Sequence, residues 1–183
     1  MIEKFFKNYF QEIQKLQRKV DLQSITKSYM QILKVKKNKG KILVFGNGAN
    51  ISNAAHFATD MTKNGKIETM ALNDPNLITC FSNDYGYENW VTEAIKSYTN
   101  KNDMIILISS SGVSKNIINA AKYCKLKSIK LITLSGFDKN NPLSKLGNVN
   151  FHISSNHYNF IEMSHHIILV YLVDYFASNK IKK

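Results

Sequence analysis

Ser109, Ser110, Ser111 and Ser114 place four hydroxyls within six positions, around Gly112, directly after the apolar run Met104–Ile108 and just ahead of a helical pattern. Binding a phosphate is the chemistry these residues suggest. A helix N-terminus offers unpaired N–H groups and the positive end of its dipole, hydroxyls add donors, and glycine lets the backbone turn and approach closely. The plainer alternative, a serine-capped turn, accounts for one Ser-Gly pair. Four hydroxyls favour a ligand. A second set could move protons or hold a metal: His56 and Asp60 are four apart at helical spacing, as are Glu162 and His166, so each pair shares a helix face. Imidazole nitrogen beside carboxylate oxygen suits a metal pair, and the four residues together would make a His56-Asp60-Glu162-His166 site. The structural alternative is that Glu162 caps its helix and that His165 and His166 are satisfied histidines at an interface.

These residues need a scaffold, and the pattern supplies one. Residues 2 to about 35 carry apolar positions at helical spacing in two sets, Ile2 to Leu16 and Ile25 to Leu33, with a break near Asp21. The first set is rich in aromatic side chains, which suits packing on another subunit as well as folding back on its own domain. Strands are then expected at Ile42–Phe45, Thr69–Leu72, Met104–Ile108, Ile129–Leu134 and Val149–Ile153. Helical stretches alternate with them at Ile51–Lys63, Pro75–Ser82, Glu88–Tyr98, Ser114–Lys125 and Phe160–Ala177. Strands joined by helical crossovers imply a parallel sheet covered on both faces, an α/β three-layer sandwich. Ligands bind such sheets at the carboxyl ends of the strands, which selects the serine loop and the loop Gly46-Asn-Gly-Ala-Asn-Ile-Ser52. The latter lacks the longer dinucleotide fingerprint and the Walker lysine, so no nucleotide cofactor is expected.

At 183 residues, with 44% hydrophobic and 21% charged residues, the chain reads as one globular domain, residues 1–38 helical and 39–183 an α/β core. No uninterrupted apolar run reaches the length of about 18 residues that a membrane span needs. The N-terminus lacks a secretory apolar core, so a cytoplasmic location is expected, without a membrane partner. Cys80 and Cys124 are far apart and outside metal-type spacing, and read as reduced, buried thiols. The net charge of +12 raises the question of nucleic acid. Arg18 is the only arginine and the lysines are scattered along the chain, which argues against it. His152 and His157 flank the last strand and its loop and read as surface residues, with a reach across an interface to a ligand as the alternative for His157; Trp90, Tyr85 and Tyr87 read as packing aromatics.

Five motifs in order, Gly46-Asn-Gly-Ala-Asn50, His56-Phe-Ala-Thr-Asp60, Ser82-Asn-Asp-Tyr-Gly-Tyr87, Ser109-Ser-Ser-Gly-Val-Ser114 and Leu134-Ser-Gly136, resemble the phosphoheptose isomerase family of sugar isomerase (SIS) domains. The resemblance implies a flavodoxin-like sheet in a homotetramer, with the N-terminal helices used in assembly and the sites near subunit interfaces. It also implies conversion of sedoheptulose 7-phosphate to a heptose 7-phosphate for surface polysaccharide. By motif matching, Ser109, Ser110, Ser111 and Ser114 would hold the phosphate, and Asn47, Asn50 and Asp84 would contact the sugar or its phosphate. Asp84 enters through the resemblance; its local pattern is that of a turn residue.

Moving a carbonyl between C1 and C2 requires a base to take the proton beside the carbonyl and an electrophile to hold the enediolate. Zinc-containing members of the family have histidine at the position of His56 and glutamate at that of Asp60. Here the carboxylate is one methylene shorter, and a displacement of about 1 Å can cost on the order of a hundredfold in rate unless the site shifts with it. The family has glutamine at Glu162, serine at Asn50 and a second catalytic histidine at Val170. Asp60, Glu162 and His166 are therefore the candidates for proton transfer, and His56, Asp60, Glu162 and His166 those for a zinc ion. Two other readings stand beside the isomerase: a sensor or scaffold that binds a sugar phosphate without turning it over, and an isomerase for a different sugar phosphate.

Overall fold

The computed structural model describes residues 1–178. Five short apolar runs form a parallel sheet, β1 (Ile42–Gly46), β2 (Thr69–Ala71), β3 (Met104–Ser109), β4 (Lys130–Gly136) and β5 (Val149–Ile153), in the order β2-β1-β3-β4-β5. Alternate residues of each strand feed two separate cores, because successive side chains leave opposite faces of a sheet. On one face Ile42, Val44, Met104, Ile106, Ile108, Ile132 and Leu134 pack against helices α1 (Ile2–Gln17), α2 (Leu22–Lys37), α3 (Ala49–Asp60) and α7 (Tyr158–Ser178). On the other, Leu43, Phe45, Ile105, Leu107 and Leu131 meet α4 (Pro75–Tyr85), α5 (Trp90–Tyr98) and α6 (Lys115–Leu126). The result is the three-layer α/β sandwich that the alternation of patterns implies.

Local chemistry sets the element ends. Asp21 caps α2, its carboxylate accepting from the N–H groups of Gln23 and Ser24, which explains the break between the first two helices. Asp74 caps α4 in the same way, with Pro75 in the first turn. A single π-helical turn, Met61–Gly65, carries the chain from α3 toward β2. The chain enters β1, β2 and β4 past Lys39, Lys66 and Ser128, each in the left-handed region with φ of 54°, 56° and 55°.

Three expectations change. Cys124 is buried and its thiol is pushed up to about 12 by desolvation, but Cys80 lies exposed on α4, none of whose residues is fully buried. Trp90 packs on Phe45 as expected, whereas Tyr85 and Tyr87 stay exposed. The lysines are not scattered in space: the segments 34–41, 61–68, 99–103 and 125–130, which lead into β1 to β4, hold eleven lysines against two acids, Glu68 and Asp103. The aromatic N-terminal helix folds back on its own domain through one side only. Leu16 is buried and the Tyr9 ring lies 4.8 Å from Phe160, while Phe5, Phe6 and Phe10 remain 71%, 61% and 56% exposed. By length and composition α7 could cross a membrane. Its Ile161, Ile168, Leu169, Leu172, Val173 and Phe176 instead sit in the core against the sheet.

His165 ties α7 to β4. It is completely buried, and its Nε2 lies 3.1 Å from the Ser135 carbonyl oxygen, which can only accept. The ring is therefore the Nε2–H tautomer, and Nδ1 is left buried without a partner. Burial holds its pKa down to about 4, only partly opposed by the carbonyl. Because the folded value lies below the unfolded one near 6.5, the unfolded chain binds the proton first. Stability is unaffected above pH 6.5 and falls as pH drops from 6.5 to 4, by about 3 kcal/mol in all. Urea unfolding at pH 7 and pH 4.5 checks this: His165→Gln, which can keep the bond to Ser135 and cannot titrate, will lose distinctly less stability on acidification than the parent chain.

Candidate active site

The order of the sheet reverses between β1 and β3, so their carboxyl ends lie side by side with Gly46 paired to Ile108. Each strand is joined to a helix by a short turn, residues 47–48 after β1 and 110–114 after β3, and the site grows from those two turns. Gly112 has φ +69°, and a Cβ there would collide with the Asn141 side-chain amide. That amide cannot move aside. Asn141 is buried, donates to Ser135 Oγ and the Gly136 and Asp138 carbonyls, and accepts from the Ser144 N–H.

The four serines divide into an inner and an outer pair. Ser109 is buried, its hydroxyl donating to Ser114 Oγ at 3.1 Å and accepting from the Gly112 N–H at 3.2 Å. Ser110 is buried too; its Oγ accepts from Asn50 Nδ2 at 2.9 Å and donates to Glu162 Oε1 at 3.2 Å. Ser111 and Ser114 are half-exposed, and the Ser114 side chain does not cap α6 although the residue occupies the cap position. Their hydroxyl protons and the first N–H groups of α6 are the donors that face outward.

The neighbouring turn is built alike. A Cβ on Gly46 would meet Asn50 at 2.6 Å, so the strand can pass this close to α3 only as glycine. Gly48, with φ +56°, begins α3 without any side-chain cap. Across the gap Asn47 and Asn116 exchange two amide hydrogen bonds of 3.0 and 2.9 Å, joining the starts of α3 and α6. The Tyr87 hydroxyl donates to Asn47 Oδ1 at 3.3 Å. Asn116 and Tyr87 escaped the sequence reading. An asparagine in the first turn of a helix, two residues past the serine loop, was the available signal for Asn116.

Beside Ser110 lie the ionisable groups. His56 Nε2 is 3.1 Å from Asp60 Oδ2, and the His56 and His166 rings are 4.9 Å apart. Desolvation, with His56 as the second cause, holds the His166 pKa below the usual histidine range, so it is neutral near pH 7. Its Nδ1 is buried without a partner. Glu162 lies in the second turn of α7, where it caps nothing, and its backbone carbonyl accepts from Asn53 Nδ2 at 3.1 Å. The four-residue metal site is not assembled: Glu162 is turned to Ser110, and among the described residues no three of histidine, cysteine, aspartate or glutamate converge as a metal requires. As placed, these side chains do not fit a zinc ion. His165 stands apart on Ser135, and Val170 carries no ionisable group near the cluster. Asp84 is exposed on α4, its carboxylate near Asn83 Nδ2 and Cys80 Sγ. Of the other histidines, His152 is half-buried with Nε2 on the Phe137 carbonyl, and His157 is exposed.

Residues 8–136 match the SIS domain family. The chain is 37% identical to the phosphoheptose isomerase of Helicobacter pylori strain P12 over 134 residues, 68% of this chain and 70% of that protein. It is 38% identical to the phosphoheptose isomerase of Glaesserella parasuis over 56% of each chain. Among solved structures, a phosphoheptose isomerase from Neisseria gonorrhoeae superposes with a TM-score of 0.87 at 25% identity, covering 97% of this chain and 100% of that one.

The amide pair gives a direct test. Asn116→Ala removes both amide bonds and leaves Asn47 with Tyr87 as its remaining side-chain partner, a loss of about 1 kcal/mol. Affinity for inorganic phosphate, measured by isothermal titration, will fall by about tenfold as the turn loosens, and Asn116→Asp, which puts a negative charge at two helix N-termini, will fall further.

Proposed function

The chain belongs to the phosphoheptose isomerases of the SIS-domain family, and from that premise we propose that it interconverts sedoheptulose 7-phosphate and a heptose 7-phosphate through an enediol, as a step toward surface polysaccharide. One observation carries the reading: two uncapped helix starts with outward-facing Ser111 and Ser114 lie next to a serine, Ser110, that is bonded to the carboxylate of Glu162.

The sugar phosphate docks at the start of α6. Ser111 and Ser114 donate to its oxygens, while Ser109 and Ser110 stand behind them and fix the turn. Asn47 and Asn50 line the approach of the sugar chain, and Asp84 joins them on the strength of the family motif. Glu162 takes the proton beside the carbonyl; the Ser110 hydroxyl, itself oriented by Asn50, holds the carboxylate in place. His166, neutral at working pH, returns a proton on the other carbon or holds the enediolate oxygen, with His56 and Asp60 behind it. The hydrogen moves as a proton, so the reaction needs no nucleotide cofactor. No step here is routed through a metal.

The exposed Ile2, Phe5, Phe6 and Phe10 of α1 and Met163, Ile167, Tyr171 and Tyr175 of α7 support a homo-oligomer, a tetramer by family. The chain acts as one unit, residues 1–38 serving assembly and 39–183 carrying the site, in the cytoplasm. Val170, where the family has a catalytic histidine, favours the second reading, a sugar-phosphate sensor without turnover.

Proton exchange decides between them. In D2O with sedoheptulose 7-phosphate, NMR will show deuterium entering beside the carbonyl together with aldose formation; binding without exchange makes the chain a sensor. Glu162→Gln will lower turnover by about a hundredfold or more and Asp60→Asn by less, both with phosphate affinity retained. Full turnover in both would remove them from the mechanism. Because the His166 pKa is lowered, the acid limb of the pH–rate profile that His166 sets will lie below the ordinary histidine range, and His166→Asn will remove it from the residual activity. For assembly, Phe6→Asp with Phe10→Asp will reduce the mass measured by light scattering.

A further inference from the structure

The charge of this chain sits at the wrong end for its substrate. Segments leading away from the carboxyl ends of the strands, where the phosphate seat lies, carry Asp74, Asp84, Glu88 and Asp138 against Lys115 and Lys139. The eleven lysines of the amino-terminal pole are on the far side of the sheet. In their midst is a cavity of about 280 Å³, between the end of α2, the loop before β3 and the turn before β4.

Its lining is matched to an anion that carries hydroxyls. Lys34, Lys101 and Lys130 border it from three separate segments, and none of them makes an ion pair among the described residues. The one acid in the wall, Asp103, is already saturated: it accepts from the Lys41 ammonium at 2.7 Å and from the N–H groups of Lys41 and Asn100. Its charge does not offset the three lysines. Gln31 adds the second signal. Gln31 is half-buried in the same wall, and its Oε1, shielded from solvent, has no hydrogen-bond partner. A buried acceptor without a donor calls for one to arrive from outside. The volume lies just below the range of about 300 to 1,000 Å³ for drug-sized ligands, which points to a smaller molecule.

We infer that this cavity is a second ligand site, taking a small phosphorylated polyol whose phosphate sits among Lys34, Lys101 and Lys130 and whose hydroxyl donates to Gln31. The site stands on its own lining, at the opposite end of the sheet from Ser111 and Ser114, and does not depend on the isomerase reading.

The test titrates glycerol 3-phosphate and inorganic phosphate into the full chain and three variants by calorimetry. K101Q/K130Q will weaken the binding of glycerol 3-phosphate by about tenfold or more, since each charge-assisted contact is lost outright. S109A/S114A, which alters the other phosphate seat, will keep that binding, as will K37Q/K63Q, which removes equal charge from the same pole outside the cavity. Glycerol 3-phosphate will bind more tightly than inorganic phosphate, and Gln31→Leu will erase that difference. Loss of all binding in S109A/S114A would place the ligand at the serine loop and overturn the proposal. Equal weakening in K37Q/K63Q would reduce it to diffuse charge, and absence of saturable binding would overturn it as well. Isomerase turnover without added ligand will be unchanged in K101Q/K130Q, which separates a failure here from a failure of the catalytic reading.

Discussion

Two helices begin side by side because β1 and β3 are adjacent parallel strands. Their N-termini point the same way, so the positive ends of both dipoles and two sets of unpaired N–H groups meet in one place. That is an unfavourable arrangement until an anion enters it. The fold holds it open with the means nearest to hand: glycines where side chains would clash, a reciprocal amide bridge between Asn47 and Asn116, and the rigid Asn141 against which Gly112 turns. Asn50, Ser110 and Glu162 are placed relative to these two helix starts.

The carboxylate cluster follows from the same constraint. The helix that starts after β1 carries Asn50, Asn53, His56 and Asp60 along one side, and α7 packs against it, bringing Glu162 and His166 alongside. Ser110 is the joint between the serine turn and the ionisable groups. Its hydroxyl has one proton, and that proton goes to Glu162. A glutamine in place of Glu162 would offer the same oxygen to Ser110 but could not take a proton, so the charged residue changes what the position can do and leaves its geometry nearly intact. With Asp60 shorter than the family glutamate and Val170 in place of histidine, the ionisable groups of this chain gather one turn earlier on α7.

The strands were legible because each is a continuous apolar run between turn residues, and the serine loop because four hydroxyls outnumber what a cap uses. Helix spacing paired His56 with Asp60 and Glu162 with His166, but spacing cannot tell which way a carboxylate turns; Glu162 faces Ser110, and the expected four-ligand set does not form. Asn116 was hidden because its partner is sixty-nine residues away. Cys80 read as buried because free cysteines usually are, yet nothing in α4 is fully buried. The lysines looked dispersed in one dimension; only the topology, which returns each helix to the same pole, gathers them.

The bridge between Asn47 and Asn116 has a symmetry of its own. Turning both amides over together exchanges every donor for an acceptor and preserves both mutual bonds. The atom facing Tyr87 then changes from oxygen to nitrogen, so the phenol receives a hydrogen bond where it had given one, and its own proton is freed from Asn47. The pair thus sets whether Tyr87 gives or takes a hydrogen bond at Asn47, with the number of hydrogen bonds between protein groups unchanged.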